Sequence, residues 1–160
     1  MEKFKWWFGV VVFLALVLGP VVVRQIAGGE PDRTYRRPDL ASMDYTEVTF
    51  RNEAQGLTLA GMLFIPDGEG PFPAVAIIHG ASTSVRDNSW YLTLVEYLQA
   101  NGVIVLLPDK RGSEKSEGNW RTSSYEDLAT DTVAAVEFLR AQEMVEVTKV
   151  GIIGMSQGGQ

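Results

Sequence analysis

The 160-residue chain contains no cysteine, which excludes a disulfide framework, a thiolate nucleophile and cysteine-ligated zinc or iron–sulfur centres. Histidine is nearly as scarce. His79 stands alone, so these residues offer no multi-histidine metal site. Basic residues are outnumbered, fourteen Lys and Arg against twenty Asp and Glu for a net charge of -6, and no basic stripe offsets the balance. Such a chain repels phosphate backbones, so nucleic acid is not an expected partner. There is no internal repeat or low-complexity tract. What the chain does have is an apolar content of 46%, in keeping with globular order, and a length that suits one domain of roughly 100–200 residues or part of a larger one.

The apolar residues are concentrated at the start. Trp6 to Val23 runs for eighteen residues without a charge, behind Lys3 and Lys5. A membrane-spanning helix needs roughly 20 apolar residues, with about 17 as the lower limit, so residues 6–23 read as a membrane anchor. The rival is a cleaved signal segment with cleavage after Ala27, which Gln25 fits poorly. The short basic leader favours export of the following domain, whereas Arg24, Arg33, Arg36 and Arg37 would hold it inside. The expected layout is therefore an anchor or signal over residues 1–30, a polar linker over 31–44 carrying Pro31 and Pro38, and a domain from residue 45 onward. Without residues 1–30 the chain keeps eleven basic and eighteen acidic groups, so the expected extracytoplasmic part is the acidic part.

From Tyr45 the residues alternate. Val48 and Phe50, then Leu57, Leu59 and Leu63, predict a β-hairpin. Residues 74–78 and 103–107 are apolar on both faces, as in strands buried within a sheet. A helix is predicted between them over residues 90–100, ending at Asn101-Gly102. Ser123 with Glu126 predicts a capping box opening a helix to about Gln142, with Leu128, Thr132, Ala135 and Leu139 as its inner stripe, flanked by Val133 and Val136. A short strand over 149–153 closes the series. The predicted class is α/β: a mostly parallel sheet with an opening antiparallel hairpin, covered by helices on both faces.

Directly after the last strand stands Gly154-Met155-Ser156-Gln157-Gly158-Gly159, which satisfies G-x-S-x-G in the strand-to-helix context that the motif needs. A serine hydroxyl is a weak nucleophile, and a sharp turn of small residues lifts it toward a base. Gly154 and Gly158 supply the space, and Ser156 is the candidate nucleophile; the bland reading is a serine capping a helix. His79-Gly80-Ala81, at the end of the 74–78 strand, is placed for an oxyanion hole with N–H donors from Ala81 and Gln157. The charged stretch from Asp109 through Arg111 to Gly118 reads as a solvated loop pinned by Asp109 and Arg111.

His79-Gly80, Asp109-Lys110-Arg111-Gly112 and Gly154-Met155-Ser156-Gln157-Gly158-Gly159, in this order, resemble the α/β-hydrolase superfamily over residues 45–160. The branch is that of dienelactone-hydrolase, prolyl-oligopeptidase-like and serine-aminopeptidase-like esterases. The resemblance implies a nucleophile at Ser156, oxyanion donors at Ala81 and Gln157, motif support from His79, Gly80, Gly154 and Gly158, and neither cofactor nor metal. It departs at Glu114, where relatives usually carry glycine, and at Met155, where they often carry histidine or another bulky residue.

In that family the acid and the histidine of the triad follow the serine, and only residues 157–160 do so here. The expectation is the N-terminal portion of a longer serine hydrolase acting on small carboxylic esters, nearly inactive by itself. Peptidase or thioesterase chemistry uses the same parts. A non-catalytic membrane-anchored binding module is the alternative of a different class. His79 is expected to shape the turn rather than to act as the base.

Overall fold

The computed structural model describes residues 37–160. Five strands form one sheet in the order β1-β2-β4-β3-β5. They are β1 Thr46–Asn52, β2 Leu57–Phe64, β3 Phe72–Ile78, β4 Ile104–Pro108 and β5 Val145–Gly154, with helices α1 Ser89–Ala100 and α2 Tyr125–Arg140 between them. β1 and β2 make the expected hairpin, with Phe50 opposite Leu59. β2 runs antiparallel to β4, and β3 pairs in parallel with β4 and β5.

The alternation along each strand explains why both faces are covered. Leu59, Leu63, Ala74, Ala76, Ile104 and Leu106 pack with Ala134, Ala135 and Leu139 of α2. The intervening residues Met62, Phe64, Ile77, Val105 and Leu107 pack on the opposite face with Leu92 and Val95 of α1. A strand with apolar side chains at every position is stable only between two such layers. Within the stretch read as a linker, Pro38 is buried, and Leu40, Met43 and Tyr45 pack against the α1-side core. Leu40 and Met43, the two of these within residues 31–44, carried no strand or helix period, which is why they read as tether. The anchor or signal assigned to residues 1–30, with its apolar run over 6–23, lies outside the described residues. Among those described, no helix is long and apolar enough to cross a membrane.

Two element boundaries differ from expectation. The capping box of α2 is one residue later: Asp127 N–H donates to Ser124 Oγ at 3.1 Å and Ser124 N–H to Asp127 Oδ2 at 3.0 Å. Ser123 is otherwise engaged, accepting from Arg111 and donating to the Asn119 carbonyl. Around α2 the buried residues are Ala134, Ala135 and Leu139, whereas Leu128 and Thr132 are only half-buried and Val133 is exposed. β5 is longer than read, ten residues rather than five, because Val145 already pairs with Phe72 before a register shift. Among the described residues β5 pairs on one side only, and its Val147 and Ile152 are 54% and 55% exposed. An apolar unpaired edge is a template for association with another chain. The purified 160-residue chain is therefore expected to self-associate with rising concentration in sedimentation experiments, and Ile152→Lys to reduce that association; monomeric behaviour of the unsubstituted chain at high concentration would contradict it.

Candidate active site

The parallel pairing of β3 with β5 brings the two glycine motifs together. Ile78 is the register partner of Gly154, and just past the strands Met155 N–H donates to the Ile78 carbonyl at 3.0 Å. The chain then turns into a short 3-10 segment, Ser156–Gly159. Ser156 takes φ +54°, a conformation that costs a residue with a Cβ about 1–2 kcal/mol. The site keeps it there by crowding. A Cβ on Gly154 would lie 2.1 Å from the Gly158 carbonyl oxygen, and one on Gly158 would lie 2.5 Å from the Ile78 oxygen. Both glycines act as expected, as space for converging backbones. The serine is exposed, as a nucleophile must be.

Gly80 is the third close approach: a Cβ there would lie 3.1 Å from the Met155 oxygen and 3.4 Å from Ser156 Cβ. The turn carrying Gly80 and Ala81 therefore lies against the elbow. Gly80 N–H is occupied, donating to the Tyr91 hydroxyl at 3.1 Å. No oxygen of the described residues accepts from the N–H of Ala81 or of Gln157, the two groups assigned as oxyanion donors.

His79 is buried at 8% exposure, its ring edge-on to Tyr91 with centroids 4.3 Å apart. Burial pushes its imidazole down to about 4, with the Pro108 backbone and Asp109 pulling the other way. It makes no hydrogen bond with Ser156, and among the described residues no imidazole or carboxylate does so. The ring packs on Tyr91, whose hydroxyl accepts from Gly80 N–H.

The 109–118 loop is pinned, but through other partners than expected, and it is not simply solvated: Asp109, Arg111, Ser113 and Ser116 are buried. Asp109 and Arg111 do not pair with each other. Asp109, 3% exposed, takes a two-oxygen contact from Arg86, which also reaches Glu47. Arg111, 4% exposed, forms a fork with Asp131 at 2.7 and 2.8 Å and donates to Ser123 and to the Asp127 carbonyl. One ion pair thus ties the loop before α1 to the end of β4, and the other ties α2. Glu114 adopts φ +49° and accepts from Arg86 N–H at 3.2 Å. The left-handed turn explains why glycine suits that position, and the carboxylate gains a contact glycine could not make.

The loop also holds a residue that the sequence analysis named within its motif but gave no role. Lys110 Nζ donates to the Gly80 carbonyl at 2.7 Å and to Gln157 Oε1, and it lies 4.6 Å from the centroid of the Trp120 ring. Only its place in a charged run next to a strand end could have drawn notice. A cavity of about 540 Å3 lies beneath the elbow, lined by Ile78, Leu128, Ile152 and Gly158 among others. Lys110 and Gln157 line it as well, whereas Ser156 and Ala81 do not.

Two outcomes are expected. Between about pH 4 and pH 6.5 the unfolded chain binds the His79 proton and the folded chain does not, so stability rises with pH through that window. Chemical denaturation should show a loss of up to about 1.4 kcal/mol per pH unit below 6.5, flattened in His79→Gln; a wild-type profile without slope would contradict the buried neutral ring. Gly158→Ala is expected to displace the elbow and to cost about 1–3 kcal/mol of strain, read as a lowered melting temperature. An unchanged one would show that the crowding is absent.

The sequence comparisons agree with this geometry. Residues 55–160 match the family model described as X-Pro dipeptidyl-peptidase (S15 family). The chain is 30% identical over 105 residues to the esterase EstD of Thermotoga maritima, covering 62% of this chain and 25% of that protein. It is 35% identical over 118 residues to the thiohydrolase aneE of Aspergillus aculeatus, covering 72% and 35%. Among solved structures, Est1E of Butyrivibrio proteoclasticus with ferulic acid bound superposes with a TM-score of 0.61 at 26% identity, over 70% of this chain and 43% of that one. The chain thus spans well under half the length of these relatives. On the matched residues, the sheet order and the elbow, it belongs to the X-Pro dipeptidyl-peptidase (S15) family of α/β-hydrolases.

Proposed function

We propose that this chain is the nucleophile-bearing part of a serine hydrolase that cleaves small carboxylic esters through an acyl-enzyme. The observation that carries the reading is the exposed Ser156 at φ +54°, beside two backbone N–H groups with no acceptor among the described residues. The hydroxyl oxygen attacks the ester carbonyl carbon while its proton passes to a histidine supplied by chain beyond residue 160. The carbonyl electrons move onto oxygen, where the N–H groups of Ala81 and Gln157 stabilise the charge. Each such donor is worth about 10²–10³ in rate. Collapse of the tetrahedral species expels the alcohol, which takes up the proton, and water then releases the acid by the same steps in reverse order.

The acid and base are assigned to following chain for two reasons. The sole histidine in these residues is buried, with its pKa down to about 4, too weak a base for chemistry near neutral pH. The matched regions also make up only 25% and 35% of two relatives' own length, which leaves room in such proteins for the rest of a triad. Similarity to an esterase and to a structure holding ferulic acid supports ester substrates. Similarity to a thiohydrolase supports thioesters as a second class using the same parts. The eighteen-residue apolar run at 6–23 further supports a membrane-anchored or exported enzyme.

A fluorophosphonate applied to the full-length protein is expected to modify Ser156, located by peptide mass mapping. Ser156→Ala should abolish both the label and at least about 10³-fold of ester turnover. Labelling elsewhere, or turnover undiminished by Ser156→Ala, would overturn Ser156 as the nucleophile, and a full-length protein that neither labels nor turns over ester would be the non-catalytic module.

A further inference from the structure

Lys110 lies between the two loops that would hold the oxyanion and belongs to neither. Its backbone is fixed first. Lys110 N–H donates to Ser84 Oγ at 3.0 Å, Ser84 N–H donates to Ser113 Oγ at 3.1 Å, and Asp109 N–H donates to the Ala60 carbonyl at 2.8 Å. The side chain leaves this framework across the Trp120 ring, and its ammonium meets two acceptors, the Gly80 carbonyl and Gln157 Oε1.

The first acceptor matters because of peptide geometry. The Gly80 carbonyl and the Ala81 N–H belong to one planar trans peptide unit, so they point in opposite directions. Whatever holds the oxygen aims the hydrogen. Gly80, lacking a Cβ, has more backbone freedom than any other residue type. Two contacts remove that freedom here: Tyr91 takes the N–H on one side and Lys110 holds the oxygen on the other. A cation on the carbonyl also draws electron density through the amide, making the Ala81 N–H a stronger donor. The second acceptor belongs to Gln157, whose own N–H is the other candidate donor.

We propose that Lys110 is a positioning residue of the hydrolase, whose ammonium holds the Gly80 carbonyl and the Gln157 side chain together and thereby aims the Ala81 and Gln157 N–H groups at one oxyanion site. The inference rests on the reading of Ser156 as nucleophile. Lys110 touches no reacting atom; it acts through the two backbone donors, and its effect belongs to the transition state, where the oxyanion exists, rather than to substrate binding. Burial lowers its pKa from the usual lysine range, as for an ammonium whose neighbours replace water.

The test uses the full-length protein and a 4-nitrophenyl ester. In Lys110→Met, kcat is expected to fall about 10- to 100-fold, less than or equal to the loss of one oxyanion donor, with KM changed by less than about threefold. The rate of fluorophosphonate labelling of Ser156, which passes through the same charged oxygen, should fall in parallel. Lys110→Cys followed by S-aminoethylation restores an ammonium at nearly the same distance and is expected to recover most of kcat, with wild-type protein taken through the same alkylation as control. Retention of kcat within about twofold in Lys110→Met overturns the proposal. So does a loss that appears equally in KM and melting temperature and is not recovered by aminoethylation, since that is the behaviour of a structural tie. Failure of the wild type to label at Ser156 would instead remove the nucleophile reading, and this inference with it.

Discussion

The parallel contact between the ends of β3 and β5 is the constraint on which the site depends. Ile78 opposite Gly154, followed by Met155 N–H on the Ile78 carbonyl, brings two sequence segments about seventy residues apart to the same point above the sheet. β5 ends in Gly154 and β3 is followed, two residues on, by Gly80, and the backbones close to distances no Cβ would allow. A serine held in the left-handed region at such a place is strain supported by its surroundings, the usual sign of a residue kept for chemistry rather than stability. The short segment that begins at Ser156 has no side-chain cap, and Ser156 is exposed.

Around that point the charged residues act as ties. Arg86 on Asp109 and Arg111 on Asp131 each place a guanidinium fork against a carboxylate with little solvent, an arrangement in which removing one partner costs far more than the pair contributes. Their effect is to fix the loop after β3, the end of β4 and the start of α2 relative to one another. Lys110 is held by this framework and reaches from it to the turn and the elbow. In the proposed mechanism the oxyanion is held by backbone groups, and Lys110 sets where those groups point.

Much of this was legible in the sequence because it depends on local pattern. Doubly apolar runs at 74–78 and 103–107 could only be strands between two layers, and Gly154 through Gly158 could only be useful where backbones crowd. The displaced parts depend on long-range contacts. Ser123 and Ser124 are equivalent as caps until Arg111, reaching over from the 109–118 loop, engages Ser123. Asp109 and Arg111 are two residues apart and of opposite sign, yet each finds its partner elsewhere, at Arg86 and Asp131. Lys110 stood in one of the three motifs that carry the resemblance but was given no role, because contacts with Gly80 and Gln157 bridge segments far apart in sequence. Pro38, Leu40 and Met43 gave none because a segment lying against a core edge follows no regular spacing.

The central claim is that a substrate carbonyl binds with its carbon at Ser156 and its oxygen between two backbone amides. A crystal structure of the full-length protein treated with an aryl boronic acid tests it most directly, because boron forms a tetrahedral adduct with an activated serine. The account predicts a bond from Ser156 Oγ to boron, with one boronate oxygen about 3 Å from both Ala81 N and Gln157 N. An adduct at another residue, or a boronate oxygen turned away from both amides, would contradict it.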